Sequence, residues 1–339
     1  MSYGRIRTPR IYTSTIYHAV STGKASLDNL NIERASVGGT DVAFNNSGVK
    51  TDIFDGKPYK LLEMATSVLS DDIHISFDTG ITTNANQDSN FVAILGHNLE
   101  AVDGRFYVKT DDASAFSSAQ SPTLTEVVNA TWGSSRATPS KNGWSLATFS
   151  QTSDNQYIDV VLDKSAGAYG ADISIGQILV GEYWDFPHSP DLSIDRSWTM
   201  DGIKQSRSTG GHTFSNATWI QPSNWFKAHM FNSTGDSQAT TVTTHAGRQI
   251  IKMNFSYMDD TDVMPSNLYN VNDMFTDNSF ISNIWNRALG SHHPILLQLD
   301  KDDATADDGF MWCRMTSEPK FSQVALNVWN VSLEFTQEI

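Results

Sequence analysis

Apolar positions recur with a period of two along most of the chain, the spacing of half-buried β-strands. Ile73-His74-Ile75-Ser76-Phe77 puts Ile73, Ile75 and Phe77 on one face. Phe91-Val92-Ala93-Ile94-Leu95 is a continuous apolar run, the pattern of a strand buried on both sides, and it stops at Gly96-His97-Asn98. Phe106-Tyr107-Val108, Tyr157 to Leu162 and Ile173 to Val180 complete a set of short strands divided by Gly, Asn and Asp clusters. The pattern predicts one antiparallel β-sandwich over residues 49–184, with Ile73, Ile75, Phe77, Val92, Ile94, Ile158 and Val160 in its core.

Glu182 to Pro190 breaks the rhythm with three aromatics and two prolines, which reads as a rigid corner between domains. A second β pattern fills residues 185–339. Gly210-Gly211 predicts a tight turn between Ile203-Lys204-Gln205 and His212-Thr213-Phe214. Arg248 to Tyr257 alternates, placing Ile251, Met253, Phe255 and Tyr257 on one face. Residues 279–289 predict a helix, with Ser279 as cap, an apolar stripe of Phe280, Ile281, Ile284, Trp285 and Ala288, and Gly290 as stop. Gln323 to Phe335 alternates with a change of phase between Val328 and Val331, which predicts a bulge or bend. The fold class expected is mainly β: two antiparallel β-sandwich domains, one helix, and an extended N-terminal arm over residues 1–48.

Composition sharpens this picture. The 339 residues carry 38 acids against 23 basic side chains, a formal charge of −15. Such a balance argues against a general nucleic-acid binder and against a polybasic membrane-surface protein. No apolar stretch reaches the roughly 18 residues of a transmembrane span. Met1 to Arg7 lacks the apolar core of a secretory signal, so synthesis in a cytoplasm is expected. Cys313 is the single cysteine, which leaves packing and hydrogen bonds to hold the fold. Arg5, Arg7 and Arg10 form a basic stretch without an acid. On an acidic protein they are candidate contacts to a neighbouring copy, or else solvated residues of a surface strand.

Ile73 to Gly80, followed by Asn90-Phe91-Val92-Ala93-Ile94-Leu95-Gly96-His97-Asn98-Leu99, resembles virion proteins of tailed bacteriophages that carry a galactose-binding-like (discoidin-like) β-sandwich. Arg105 to Val108 and Ile175 to Trp184 continue the likeness. Trp198 to Gly211, Asn254 to Asp260, Trp285 to Gly290 and Asn327 to Leu333 extend it through the second half, which is similar in pattern to tail and baseplate modules. The resemblance implies a structural component of a virion, made in the host cytoplasm and acting by assembly with copies of itself and other phage proteins. An adhesin that binds a receptor or a host surface glycan is the alternative, and a polysaccharide-degrading enzyme the third reading. Fold analogy does not bring sugar binding with it.

Candidate chemistry is sparse. Asp300, Asp302, Asp303, Asp307 and Asp308 cluster in one loop. Counted as an EF-hand from Asp300, the sixth and twelfth positions are Thr305 and Met311, so the motif fails. A looser Ca2+ site or an acidic hairpin tip remains. Adjacent His292-His293 lacks helical zinc spacing, and Cys313 reads as a buried, inert thiol. No nucleophile elbow, zincin motif or phosphate loop occurs, so no catalytic residue is assigned and no cofactor is expected. Glycan-binding candidates are His97, Asn98, Trp132 and Trp144, placed in or beside loops of the first module; the two tryptophans could equally cap its core. Trp219 and Trp225 are candidate subunit contacts or core anchors.

Overall fold

A computed structural model of the chain describes residues 6–80, 89–133, 135–140, 143–150, 156–164, 166–199, 203–217, 248–266, 278–303 and 309–338. The fold is mainly β. Every registered strand pair among the described residues is antiparallel. Strands Thr40–Asp41, Asn31–Arg34, Ile73–Asp78, Tyr157–Lys164, Gly104–Asp111, Arg136–Pro139 and Ala130–Gly133 lie side by side in a seven-stranded sheet. An eleven-stranded sheet packs against it. Its middle runs Ile295–Gln298, Arg10–Ser14, Gln177–Asp185, Phe91–His97 and Gly143–Phe149.

The period-two pattern explains the sandwich. Ile73, Ile75, Phe77, Ile158, Val160, Leu162, Phe106 and Val108 point from the seven-stranded sheet into one core, where they join Val92, Ile94 and Leu95 of the facing sheet. All seven core residues expected from the sequence are buried there. Phe91–His97 is buried along its whole length, as its unbroken apolar run requires. Each large core side chain contributes about 1.5–3 kcal/mol by leaving water.

The described part of the first 48 residues, 6–48, is woven into the fold. Arg10–Ser14 is an inner strand of the long sheet, paired with Gln177–Asp185 on one side and Ile295–Gln298 on the other. Its alternation was hidden by β-branched and hydroxyl residues: Ile11 packs into one core and Tyr12 into the other. Gly181 allows the close approach, since a Cβ there would lie 2.0 Å from the Thr13 carbonyl oxygen. Arg10 is buried and donates from Nε and Nη2 to Asp185 at 2.5 and 3.1 Å, and from Nη1 to Glu126 at 2.5 Å. Its guanidinium also covers the Tyr183 ring at 4.0 Å. The Arg10 side chain is therefore buried and engaged within its own chain. Arg7 pairs with Asp300 at 3.6 Å and stays half exposed; Arg5 lies outside the described residues.

The second half extends the same long sheet through Phe310–Met315, Val328–Gln337, Arg248–Asp259 and Asp195–Thr199. On the face away from the sandwich these strands gather a second core with Trp184 and Phe186. The Phe186 ring stacks on Phe255 at 4.3 Å, so the proline-rich corner is anchored by packing. Met311, Cys313 and Met315 face this core while Phe310 and Trp312 face the first, so the middle of the sheet is apolar on both sides. Burial raises the Cys313 thiol pKa, as befits a core residue.

Three expectations shift in detail. Tyr257 leaves the apolar face: its φ of 63° marks a bulge, and Met258 takes the inward position instead. The phase change in 323–335 is a hairpin, with Lys320–Ala325 and Val328–Gln337 joined through Asn327 at φ 59°. Val324 and Leu326 are consequently exposed. The helix over 279–289 is present, but Ile281–Asn286 is wound as a π-helix. Ser279 Oγ accepts from the Ser282 amide, and Gly290 closes the far end at φ 69° with its amide on the Trp285 carbonyl.

Candidate functional site

If one set of alternating residues fills the core, the other set must line the outer face of the seven-stranded sheet. The register fixes who meets whom there. Arg105 sits opposite Asp163, Tyr107 opposite Val161, and Lys109 opposite Asp159. Val161 in turn faces His74, Asp159 faces Ser76, and His74 faces Glu33. Strands about 4.8 Å apart thus hold cations along one side of the face and carboxylates through its middle.

These groups are engaged with one another. Arg105 donates to Asp163 from Nε and Nη2 at 3.1 and 2.9 Å, and Arg136 Nε donates to the same carboxylate at 2.8 Å. The Arg136 guanidinium lies 3.5 Å from the Tyr107 ring centre, and Lys109 Nζ approaches the same ring at 5.5 Å. Burial pushes the Tyr107 hydroxyl up to about 12 against the opposing charge of Arg136. Asp72, beside this lattice, is raised by burial and by the like charge of Asp163. His74 Nδ1 lies 2.7 Å from Asp159 Oδ2, both buried in the sheet. Asp159 Oδ1 is a buried acceptor without a hydrogen-bond partner.

Such a face binds better than it reacts. The His74 ring has an orienting carboxylate but no hydroxyl or thiol on its other nitrogen among the described residues. Ser21 and His293 show the converse: Oγ and Nε2 are 2.7 Å apart, and no carboxylate orients the ring among the described residues. That ring instead stacks on Tyr17, and burial, then the charges of His292 and Arg314, lower its pKa to about 4. A nucleophile, base and orienting group do not come together at either place. On the polar face Arg105, Lys109 and Arg136 are partly exposed, while Tyr107, Asp163, His74 and Asp159 are buried.

The residues singled out from sequence are engaged in the fold. Trp144 is buried in the first core, its ring 4.9 Å from Phe310. It caps the sandwich and presents no face to a sugar. His97 is buried too: Nδ1 accepts from the Leu99 amide at 3.2 Å, which places the ring proton on Nε2, 2.9 Å from Ser145 Oγ. Burial lowers its pKa to about 3, so it is a neutral structural ring. Asn98 spends its amide on the Asp172 carbonyl and the Ser174 amide. Trp132 is half-buried on an edge strand and packs against the first core. Burial and intrachain bonding occupy His97, Asn98 and Trp144, and Trp132 keeps partial exposure.

The acidic loop is no better gathered. Asp300 is buried, takes the Asp302 amide at 3.2 Å and faces Arg7, while Asp302 pairs with Lys301 at 3.1 Å. Among the described residues no group of three or more His, Cys, Asp or Glu could hold a metal ion. Asp307, Asp308, Trp219 and Trp225 lie outside the described residues. The alternation singles out only the core-facing positions of these strands, so it does not point to Tyr107, Arg105, Arg136 or Asp163. Their signal was the alternation of Arg, Tyr and Lys between core residues in Arg105 to Lys109.

No family model and no curated protein matches the chain. Among solved structures, chitosan-binding module 1 of a chitosanase/glucanase from Paenibacillus sp. IK-5 is similar at 15% identity and a TM-score of 0.30, over 45% of this chain and 96% of that one. CBM32-1 from a family 31 glycoside hydrolase of Clostridium perfringens is similar at 9% identity and a TM-score of 0.28, over 41% of this chain and 89% of that one. CBM32-3 of the same origin gives 12% and 0.29, over 48% and 97%. At these TM-scores the likenesses carry no argument about this chain, whose fold stands on its own sheets.

Proposed function

We propose that the chain is a non-catalytic carbohydrate-binding protein, with the outer face of the seven-stranded sheet as its recognition surface. One observation supports this reading above the others: the partly exposed cations Arg105, Lys109 and Arg136 share one register grid with the buried Tyr107, Asp163 and His74–Asp159 pair, which hold them in place. Sugars present alternating donors and acceptors on a ring about as wide as the strand spacing. Fixed guanidiniums and carboxylates match such hydroxyls, and their mutual pairing means little ordering is left to pay for on binding. The test is a glycan array with the whole chain, followed by titration of any hit against Lys109→Ala and Arg136→Lys. Both variants keep the fold, and affinity should fall at least tenfold in each. A blank array, or a hit bound equally by both variants, contradicts the proposal.

A second reading, a structural virion component that works by assembly, is favoured by a different part of the molecule. The hairpin of residues 203–217 pairs with no described strand of either sheet, and residues 203–207 and 209–216 are exposed. The two readings are compatible in an adhesin carried on a phage particle.

A further inference from the structure

Ile203–Arg207 and Thr213–Ala217 pair with each other and with no other strand among the described residues. Residues 203–207 and 209–216 are all exposed. The register puts Ile203, Gln205 and Arg207 on one face, and Lys204, Ser206 and Phe214 on the other. Phe214 is 64% and Ile203 45% exposed, so neither face is a covered one. The tip is nonetheless well made. Gly211 at φ 89° donates to the Ser208 carbonyl at 2.9 Å, and the Ser208 amide donates to the His212 carbonyl at 2.8 Å. A two-stranded ribbon wet on both sides is marginal in water, so a registered one calls for a partner that covers it.

Charge says what kind. Residues 203–217 contain Lys204 and Arg207 and no acid, a charge of +2, whereas the chain totals −15, leaving −17 on the rest (−15 − 2 = −17). Neither cation has a carboxylate partner among the described residues. Arg196 and Trp198, on the neighbouring strand Asp195–Thr199, continue the basic and aromatic character, with Trp198 64% exposed. We infer that the 203–217 ribbon docks on the acidic surface of a second copy of this chain. The inference rests on the assembly reading and is independent of the glycan site. Opposite charges steer the encounter, and Phe214, on the same face as Lys204, supplies the apolar contact that holds it.

Sedimentation of the full chain at low and high salt tests this, beside Lys204→Glu/Arg207→Glu and Phe214→Ser. The wild type should self-associate, with association weakened at least tenfold between low and high salt. The charge-reversed variant should sediment as a monomer with an unchanged thermal midpoint, and Phe214→Ser should associate more weakly at every salt concentration. A wild type that is monomeric throughout, or a charge-reversed variant that associates equally, overturns the inference. Binding of an acidic polysaccharide by a chain that stays monomeric overturns it too, in favour of a polyanion partner. Glycan titrations on the same samples show separately whether the sheet face works.

Discussion

The outer face of the seven-stranded sheet and the 203–217 ribbon are built from the same parts and end in opposite conditions. Both are antiparallel, both interleave cations with an aromatic, and both lie outside a hydrophobic core. On the sheet face, Arg105 and Arg136 share Asp163, and Tyr107 lies under a guanidinium. On the ribbon, Lys204 and Phe214 are exposed, and Lys204 has no carboxylate partner among the described residues. A surface whose charges are paired within the chain is preorganised and needs no partner to be stable. A surface whose charges and apolar groups are left open is unfinished until something covers it.

The comparison can be broken at several strengths. The largest effect belongs to the core beneath the sheet face: Ile94→Ala should lower stability by about 2–5 kcal/mol. Phe214→Ala on the ribbon should stay within about 0.5 kcal/mol in the monomer. Urea midpoints that move equally for the two would erase the distinction. Next comes the lattice itself. Asp163→Ala strands two guanidiniums, at a cost of about 2–3 kcal/mol. That lies under the ~3–5 of a wholly buried pair because both arginines keep contact with water. A thermal midpoint unchanged by Asp163→Ala would mean that the lattice is only solvated surface charge.

A separate effect is the pH response of buried rings. His97, at about 3, and His18, lowered to about 4 by burial and then by Arg287, are depressed below the unfolded value of 6.5. A depressed histidine leaves the unfolded state with more bound protons. Its contribution is whole above 6.5 and is lost as pH falls toward 4 for His18 and 3 for His97. Stability should therefore decline from pH 7 to 5, and His97→Gln should flatten part of that slope in urea titrations. A His97→Gln slope identical to the wild type would remove the ring from this account.

Sequence periodicity carried the first core well, because strands such as Ile73 to Phe77 must repeat every second residue to bury one face. It failed where local chemistry was ambiguous. Arg10–Ser14 reads as a basic, hydroxyl-rich arm, since the carboxylates that neutralise Arg10 are Glu126 and Asp185, more than a hundred residues away. Tyr257 and Asn327 break the alternation through positive φ values that side-chain polarity does not announce. The candidate site was legible only as the leftover half of the strand pattern. Its meaning depends on register, which sets Asp163 between two arginines, and register is a property of the paired strands rather than of any one segment.

The central claim is that recognition resides on the sheet face and assembly on the ribbon. Titration of a bound glycan against three proteins tests it most directly: the wild type, Lys109→Ala, and the charge-reversed Lys204→Glu/Arg207→Glu. The account predicts at least a tenfold loss of affinity per site for Lys109→Ala and unchanged affinity per site for the ribbon variant. Loss in the ribbon variant with full binding by Lys109→Ala would contradict it.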